Sequence, residues 1–228
     1  IGIGYLGLAE YLAVRRISYD TPAAREEVDR LFAEYAYHTY RASVDLARER
    51  GHYELFPGSE YSQGIILGHT EEWFQENTAR GTDWQTLFAD MKAYGTRFGY
   101  HTAPAPNTST AGVVGTTAAL LPIYKRYFVE TNLSAPTLRV APKLSKDNFW
   151  YYKEYVHMDM ADVISMIGVV YKWVDQSISF EWMIDPSKVS PAQLYNYYIK
   201  AWEDGIKTVY YVRSLSGEIK EDCVSCSG

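Results

Sequence analysis

An α/β fold is what the sequence predicts, on three grounds. The first half carries helix start signals followed by apolar residues at helical spacing, and after residue 95 short strand-like runs alternate with helical stretches. Near the end, a well-punctuated helix runs directly into a strand. With 228 residues, 47% of them hydrophobic and 15% aromatic, the chain forms one large domain or two small ones, with apolar material enough to exclude disorder.

Taken in order, Thr21-Pro22 supplies an N-cap and a proline at the first helical position. Apolar or aromatic residues follow at Val28, Phe32, Tyr35, Ala36, Val44 and Leu46 in a long helix that Gly51 ends. Thr82-Asp83-Trp84-Gln85 has the T-x-x-Q form of a capping box, and Trp84, Leu87, Phe88, Met91 and Tyr94 follow at helical spacing up to Gly95. Strand-like runs are Arg97–His101, Tyr127–Thr131, Thr137–Val140, Ser177–Met183 and Lys207–Tyr211, with helical stretches near 158–174 and 191–204. Ser190-Pro191-Ala192-Gln193 opens the last helix and Gly205 closes it. The organisation expected is a folded body over residues 1–211 and, from Val212 to Gly228, a mobile tail too poor in apolar residues to offset the entropy of being fixed.

Composition excludes several functions. With 22 Lys and Arg against 28 Asp and Glu, the net charge is −6, and no block of consecutive basic residues offers a nucleic-acid surface. The longest uncharged run, Thr102–Tyr124, holds three prolines and many hydroxyls, which a membrane-spanning helix does not accept. The chain opens on Ile1 with no basic segment ahead of Ile1–Leu8, so the expectation is a cut or processed start rather than a signal peptide. Both cysteines, Cys223 and Cys226, fall in the last six residues, which points to a reducing compartment, by default the cytoplasm.

Four stretches and a set of histidines are weighed for chemistry. Gly2-Ile3-Gly4-Tyr5-Leu6-Gly7 matches G-x-G-x-x-G, but helices follow it where a dinucleotide fold needs a second strand with an acidic end, so it reads as a decoy. The five histidines are scattered, with no metal-binding spacing. Asn107, Thr108, Ser109 and Thr110 put small hydroxyl and amide groups at a helix start, either a polar capping cluster or an anion cradle that needs no lysine. Tyr210 and Tyr211 are adjacent in a predicted strand; regular extension would send them to opposite faces, so any ring contact between them requires a bend. Cys223-Val224-Ser225-Cys226 is a C-x-x-C on a polar terminus, outside the strand-then-helix context of a thioredoxin motif, and reads as a swinging dithiol.

Together these features resemble the C-terminal third of the large, catalytic subunit of class I ribonucleotide reductase. The residues that carry the resemblance are Gly2-Ile3-Gly4 through Leu8–Ala13, Pro106–Thr110, Val174-Asp175-Gln176-Ser177-Ile178-Ser179, Gly205–Tyr211 and the terminal Cys223-x-x-Cys226. The resemblance implies the C-terminal part of a ten-stranded α/β barrel. It implies that Asn107–Thr110 hold the substrate phosphates and that Tyr210 and Tyr211 relay a radical. It further implies that Cys223 and Cys226 re-reduce an active-site disulfide, then receive electrons from thioredoxin or glutaredoxin. Twelve residue steps lead from Tyr211 to Cys223; at about 3.3 Å each, the reach is on the order of 40 Å.

The same resemblance implies a ribonucleotide substrate, no cofactor bound directly, and a partner small subunit holding a dinuclear metal-radical centre. The family also needs a thiyl-forming cysteine and a reducing cysteine pair, and this chain has only its two tail cysteines. Those groups are expected on an N-terminal portion of the large subunit, whether a separate polypeptide or a missing part, and the chain by itself is expected to be inactive. A competing reading from the residues alone is a noncatalytic module that binds phosphorylated metabolites and uses its dithiol as a redox sensor.

Overall fold

The structure is a computed structural model that describes residues 1–78, 82–131 and 136–214. Seven α-helices and four strands are found among them: α1 Leu8–Val14, α2 Pro22–Arg50, α3 Glu71–Asn77, α4 Trp84–Tyr94, α5 Thr108–Val114, α6 Met160–Tyr171 and α7 Pro191–Glu203, with β1 Tyr127–Thr131, β2 Pro136–Val140, β3 Glu181–Ile184 and β4 Tyr211–Ser214. No helix among the described residues is long and apolar enough to cross a membrane. The chain divides into two compact units, one built from residues 1–3, 26–103 and 170–176, the other from 4–25, 104–169 and 177 onward.

The first unit is organised by α2. Val28, Phe32, Ala36, Tyr40, Val44 and Ala47 recur at near-helical spacing and are all buried, which gives one long apolar stripe. An aromatic cluster forms around Phe74, stacked on Trp84 with centroids 4.1 Å apart and tilted against Trp173 at 6.2 Å. Helix α4 starts one residue later than the T-x-x-Q pattern predicts. Asp83, not Thr82, is the N-cap, its carboxylate accepting from the Thr86 amide at 2.9 Å, so the carboxylate takes the role assigned to the hydroxyl.

Residues 97–101, predicted as a strand, form none. The Arg97 amide donates to the Ser43 carbonyl of α2 at 3.0 Å, and next to this segment an isolated parallel bridge joins Ile3 and Thr102. Asp175 secures this segment, accepting from the His101 and Thr102 amides at 2.7 and 2.9 Å and from the Thr102 hydroxyl at 2.8 Å. In return the Asp175 amide donates to the Thr102 hydroxyl at 2.8 Å.

The second unit contains a β–α–β arrangement. Strands β3 and β4 pair in parallel with Glu181 opposite Tyr211, and α7 makes the crossover between them. Ser190 caps α7 through a reciprocal capping box with Gln193, as the sequence predicts. Trp182, fully buried on the inner face of β3, packs against Tyr198 of α7 at 4.6 Å between centroids. The predicted strands at 177–183 and 207–211 are displaced toward the C-terminus, and β4 runs to Ser214, three residues into the segment assigned to a mobile tail. Its apolar Val212 and paired Arg213 account for that extension. Strands β1 and β2 form a separate antiparallel pair with Tyr127 opposite Val140.

The glycine-rich opening has a packing explanation in this unit. Gly7 caps α1 with φ +83°, and a Cβ there would lie 2.7 Å from the Thr116 hydroxyl oxygen. That hydroxyl donates to the buried Glu10 carboxylate at 2.5 Å, and Lys143 pairs with the other oxygen at 2.7 Å.

Burial works against ionisation of Asp175, yet the hydrogen bonds from His101 and Thr102 outweigh it and hold its carboxyl below the usual range. Its contribution to stability is therefore complete above the ordinary carboxylate pKa of about 4 and is lost as pH falls from there through the lower folded value. Asp175→Ala is expected to cost about 3 kcal/mol at pH 7 by stranding two buried amides, and less as the pH drops below about 4. Denaturant unfolding of both proteins across that range measures it.

Candidate functional site

Both sites that the sequence predicts on described residues lie in the second unit. At the first, Asn107 takes a left-handed conformation, φ +52°, and the chain turns directly into α5. The sequence left open a polar capping cluster, but no side chain caps this helix. The Asn107 carbonyl accepts the Ala111 amide at 2.9 Å, while the amides of Thr108, Ser109 and Thr110 lie in the first turn, where the helix itself offers no acceptor. Thr108, Ser109 and Thr110 are all exposed. Amides and hydroxyls thus converge at one helix start, the arrangement that suits a phosphate or another oxyanion.

At the second, the rings of Tyr210 and Tyr211 lie with centroids 4.2 Å apart and planes inclined by 52°. The ring contact falls at the edge of the sheet, because Tyr210 stands just ahead of β4. Its amide donates to the Phe180 carbonyl at 2.9 Å, and the regular ladder begins only at Tyr211. Face alternation therefore does not apply across the pair. The two rings are about half exposed, and a cleft of ≈ 370 Å³ lies beside Tyr210, between the end of α7 and residues 206–212. A hydrogen bond to Tyr211 makes the Tyr210 phenol hold its proton above the ordinary tyrosine range, and the charge of the neighbouring phenolate adds to this.

Around the pair are residues the sequence did not single out. Arg213 bonds Glu181 through two nitrogens, at 2.8 and 3.2 Å, and stands 5.2 Å from the Tyr211 ring centre. Tyr124 donates to the Glu181 carboxylate at 3.2 Å, and its phenol is pushed up to about 12, first by burial and then by that carboxylate. The spacing Tyr211-x-Arg213 was a readable signal that the two share a strand face. The register that brings Glu181 to them is nonlocal and leaves no mark in the sequence. Among the described residues there is no group of three or more His, Cys, Asp or Glu able to hold a metal ion. Cys223 and Cys226 lie outside the described residues.

The chain belongs to the ribonucleotide reductase barrel domain family, whose profile matches residues 1–144 and 130–212. Its relatives include a ribonucleoside-diphosphate reductase subunit alpha of Synechocystis, 35% identical over all of this chain and 31% of that protein. The Helicobacter pylori subunit alpha is 35% identical over 98% of this chain and 29% of its own length, and that of Treponema pallidum 34% over 96% and 25%. The chain therefore spans under a third of the length of each of these three relatives. The barrel family accords with the α/β class read from the sequence, and the parallel β3–α7–β4 unit is its local expression here.

Replacing Tyr211 with Phe removes the phenolic partner, so the Tyr210 pKa is expected to fall toward the ordinary tyrosine value near 10. A pH titration of the Tyr210 ring-carbon resonance with site-specific ¹³C labelling reads this; an unmoved titration contradicts the hydrogen-bonded pair.

Proposed function

We propose that this chain is the C-terminal portion of a ribonucleoside-diphosphate reductase large subunit, which reduces ribonucleotides to deoxyribonucleotides by radical chemistry once joined to the rest of the barrel. The observation that carries the reading is the contact of two adjacent phenols, 4.2 Å between ring centres, at the start of a strand. An oxidised phenol is a very strong acid, so a tyrosine can pass on oxidising equivalents only if its proton moves with the electron. A neighbouring phenol supplies both donor and acceptor. Each exchange breaks one O–H bond and forms another, and no charge is left behind.

In this reading Asn107, Thr108, Ser109 and Thr110 hold the substrate phosphates through first-turn amides and hydroxyls. The oxidising equivalent originates at a dinuclear metal-radical centre in a partner small subunit and crosses Tyr211 and Tyr210 toward a cysteine in the N-terminal portion. Cys223 and Cys226 then reduce the active-site disulfide. The two thiols give up two electrons and two protons, become a disulfide themselves, and are restored by thioredoxin or glutaredoxin.

In the assembled enzyme, Tyr210→Phe and Tyr211→Phe are each expected to abolish turnover while substrate binding persists; wild-type rates in both refute the relay. Cys223→Ser is expected to permit a single turnover and block repeated ones when thioredoxin is the reductant. Rapid-quench measurement of product per enzyme distinguishes the two, and undiminished steady-state activity removes the dithiol role.

A further inference from the structure

The surroundings of Tyr211 contain a fixed ion pair that the relay reading leaves without a role. Residues two apart on a strand share a face, so Tyr211 and Arg213 stand on the same side of β4. The parallel register sets Glu181 opposite Tyr211 and Met183 opposite Arg213, so Glu181 reaches Arg213 diagonally. Its two carboxylate oxygens accept from Arg213 Nε at 2.8 Å and from Nη2 at 3.2 Å, the fork geometry in which arginine is held most rigidly.

Glu181 is itself secured from outside the strand pair. The Tyr124 hydroxyl donates to its Oε2 at 3.2 Å, and the Tyr155 hydroxyl donates to its backbone carbonyl at 2.6 Å. Side-chain exposure is only 14% for Glu181 and 29% for Arg213, so solvent screening of this pair is partial. Held in this way, the guanidinium carbon rests 5.2 Å from the Tyr211 ring centre, within the range where a cation and an aromatic face interact. A pair that only fastened two strands together would have no need to bring its charge against a ring that is already in contact with a second phenol.

We propose that Arg213, gripped by Glu181, is a positioning residue for the tyrosine pair. It sets the Tyr211 ring against Tyr210 and makes loss of an electron from Tyr211 without its proton unfavourable, so that the two phenols exchange a hydrogen atom. A nearby positive charge opposes the positive charge of a ring that has lost only an electron, and hardly affects a neutral phenol or a neutral phenoxyl. In the exchange the O–H bond of one tyrosine breaks and that of the other forms. One electron and one proton travel together, and the charges of Arg213 and Glu181 do not change. This inference rests on the relay reading and adds to it the group that governs how the pair transfers.

The test uses the complete reductase containing this chain, its N-terminal portion and the radical-generating subunit. Arg213→Gln is expected to lower kcat about tenfold or more with the KM for ribonucleotide unchanged, and Arg213→Lys, which keeps the charge, to recover most of that loss. Wild-type kcat in Arg213→Gln, failure of Arg213→Lys to recover the loss, or a change confined to thermal stability overturns the proposal and leaves Glu181–Arg213 as a sheet fastener. Tyr211→Phe in parallel separates the two levels. Full activity there defeats the relay itself, whereas loss of activity there with normal turnover in Arg213→Gln defeats only the role of Arg213.

Discussion

The parallel pairing of β3 with β4, in the register that sets Glu181 against Tyr211, is the constraint on which the tyrosine site depends. It decides where the ladder begins and therefore that Tyr210 falls just outside it, free of the alternation that would separate two adjacent rings. The crossover helix keeps this register. α7 is closed at its start by the Ser190–Gln193 box and at its end by Gly205 at φ +76°, while Trp182 anchors it to the inner face of β3. At the far end of α7 the backbone comes so close to α6 that a Cβ on Gly168 would lie 2.9 Å from the Asp204 Cβ and 3.0 Å from its carbonyl oxygen, so only glycine fits. A shift of one residue in the pairing would carry Tyr211 and Arg213 together to the opposite face and part both from Glu181.

The two candidate sites use backbone and side chain in contrasting ways. At Asn107–Thr110 the chemistry comes largely from the main chain, since the start of α5 offers amides and the hydroxyls add donors without any fixed charge. At Tyr210–Tyr211 the proposed relay would use side chains whose protons move, and the surroundings are polar and partly open: a phenol hydrogen-bonded to a phenol, a guanidinium over one ring, a cleft beside the other. A closed apolar pocket would hold both rings more firmly but would give the departing proton nowhere to go.

Much of this was legible locally. Thr21-Pro22, Ser190-Pro191 and the closing glycines at 51, 95 and 205 marked α2, α4 and α7 closely, because capping is a property of a few consecutive residues. The G-x-G-x-x-G match was readable as a decoy from its context, and the structure supplies its reason in the approach of Gly7 to Thr116. Strands were placed less well. Residues 97–101 have the composition of a strand, but α2 takes the Arg97 amide that a neighbouring strand would otherwise bond. β4 was displaced for a related cause: strand limits are set by the partner, and nothing in Lys207–Tyr211 records where Glu181 will stand. Glu181 and Arg213 were missed as neighbours of the tyrosine pair, and Asp175 as the clamp on residues 101 and 102, because their partners lie 32 and 73 positions away in the chain.

The most direct measurement of whether the tyrosine pair carries oxidising equivalents is to place 3-aminotyrosine, which is easier to oxidise than tyrosine, at position 210 or 211 of the assembled reductase and to follow the radical by rapid-freeze electron paramagnetic resonance after substrate is added. If the pair is the relay, an aminotyrosyl signal grows in at each position as the partner subunit's own radical signal declines by the same amount. If the partner's radical stays undiminished and no signal forms at either position, the pair lies off the path.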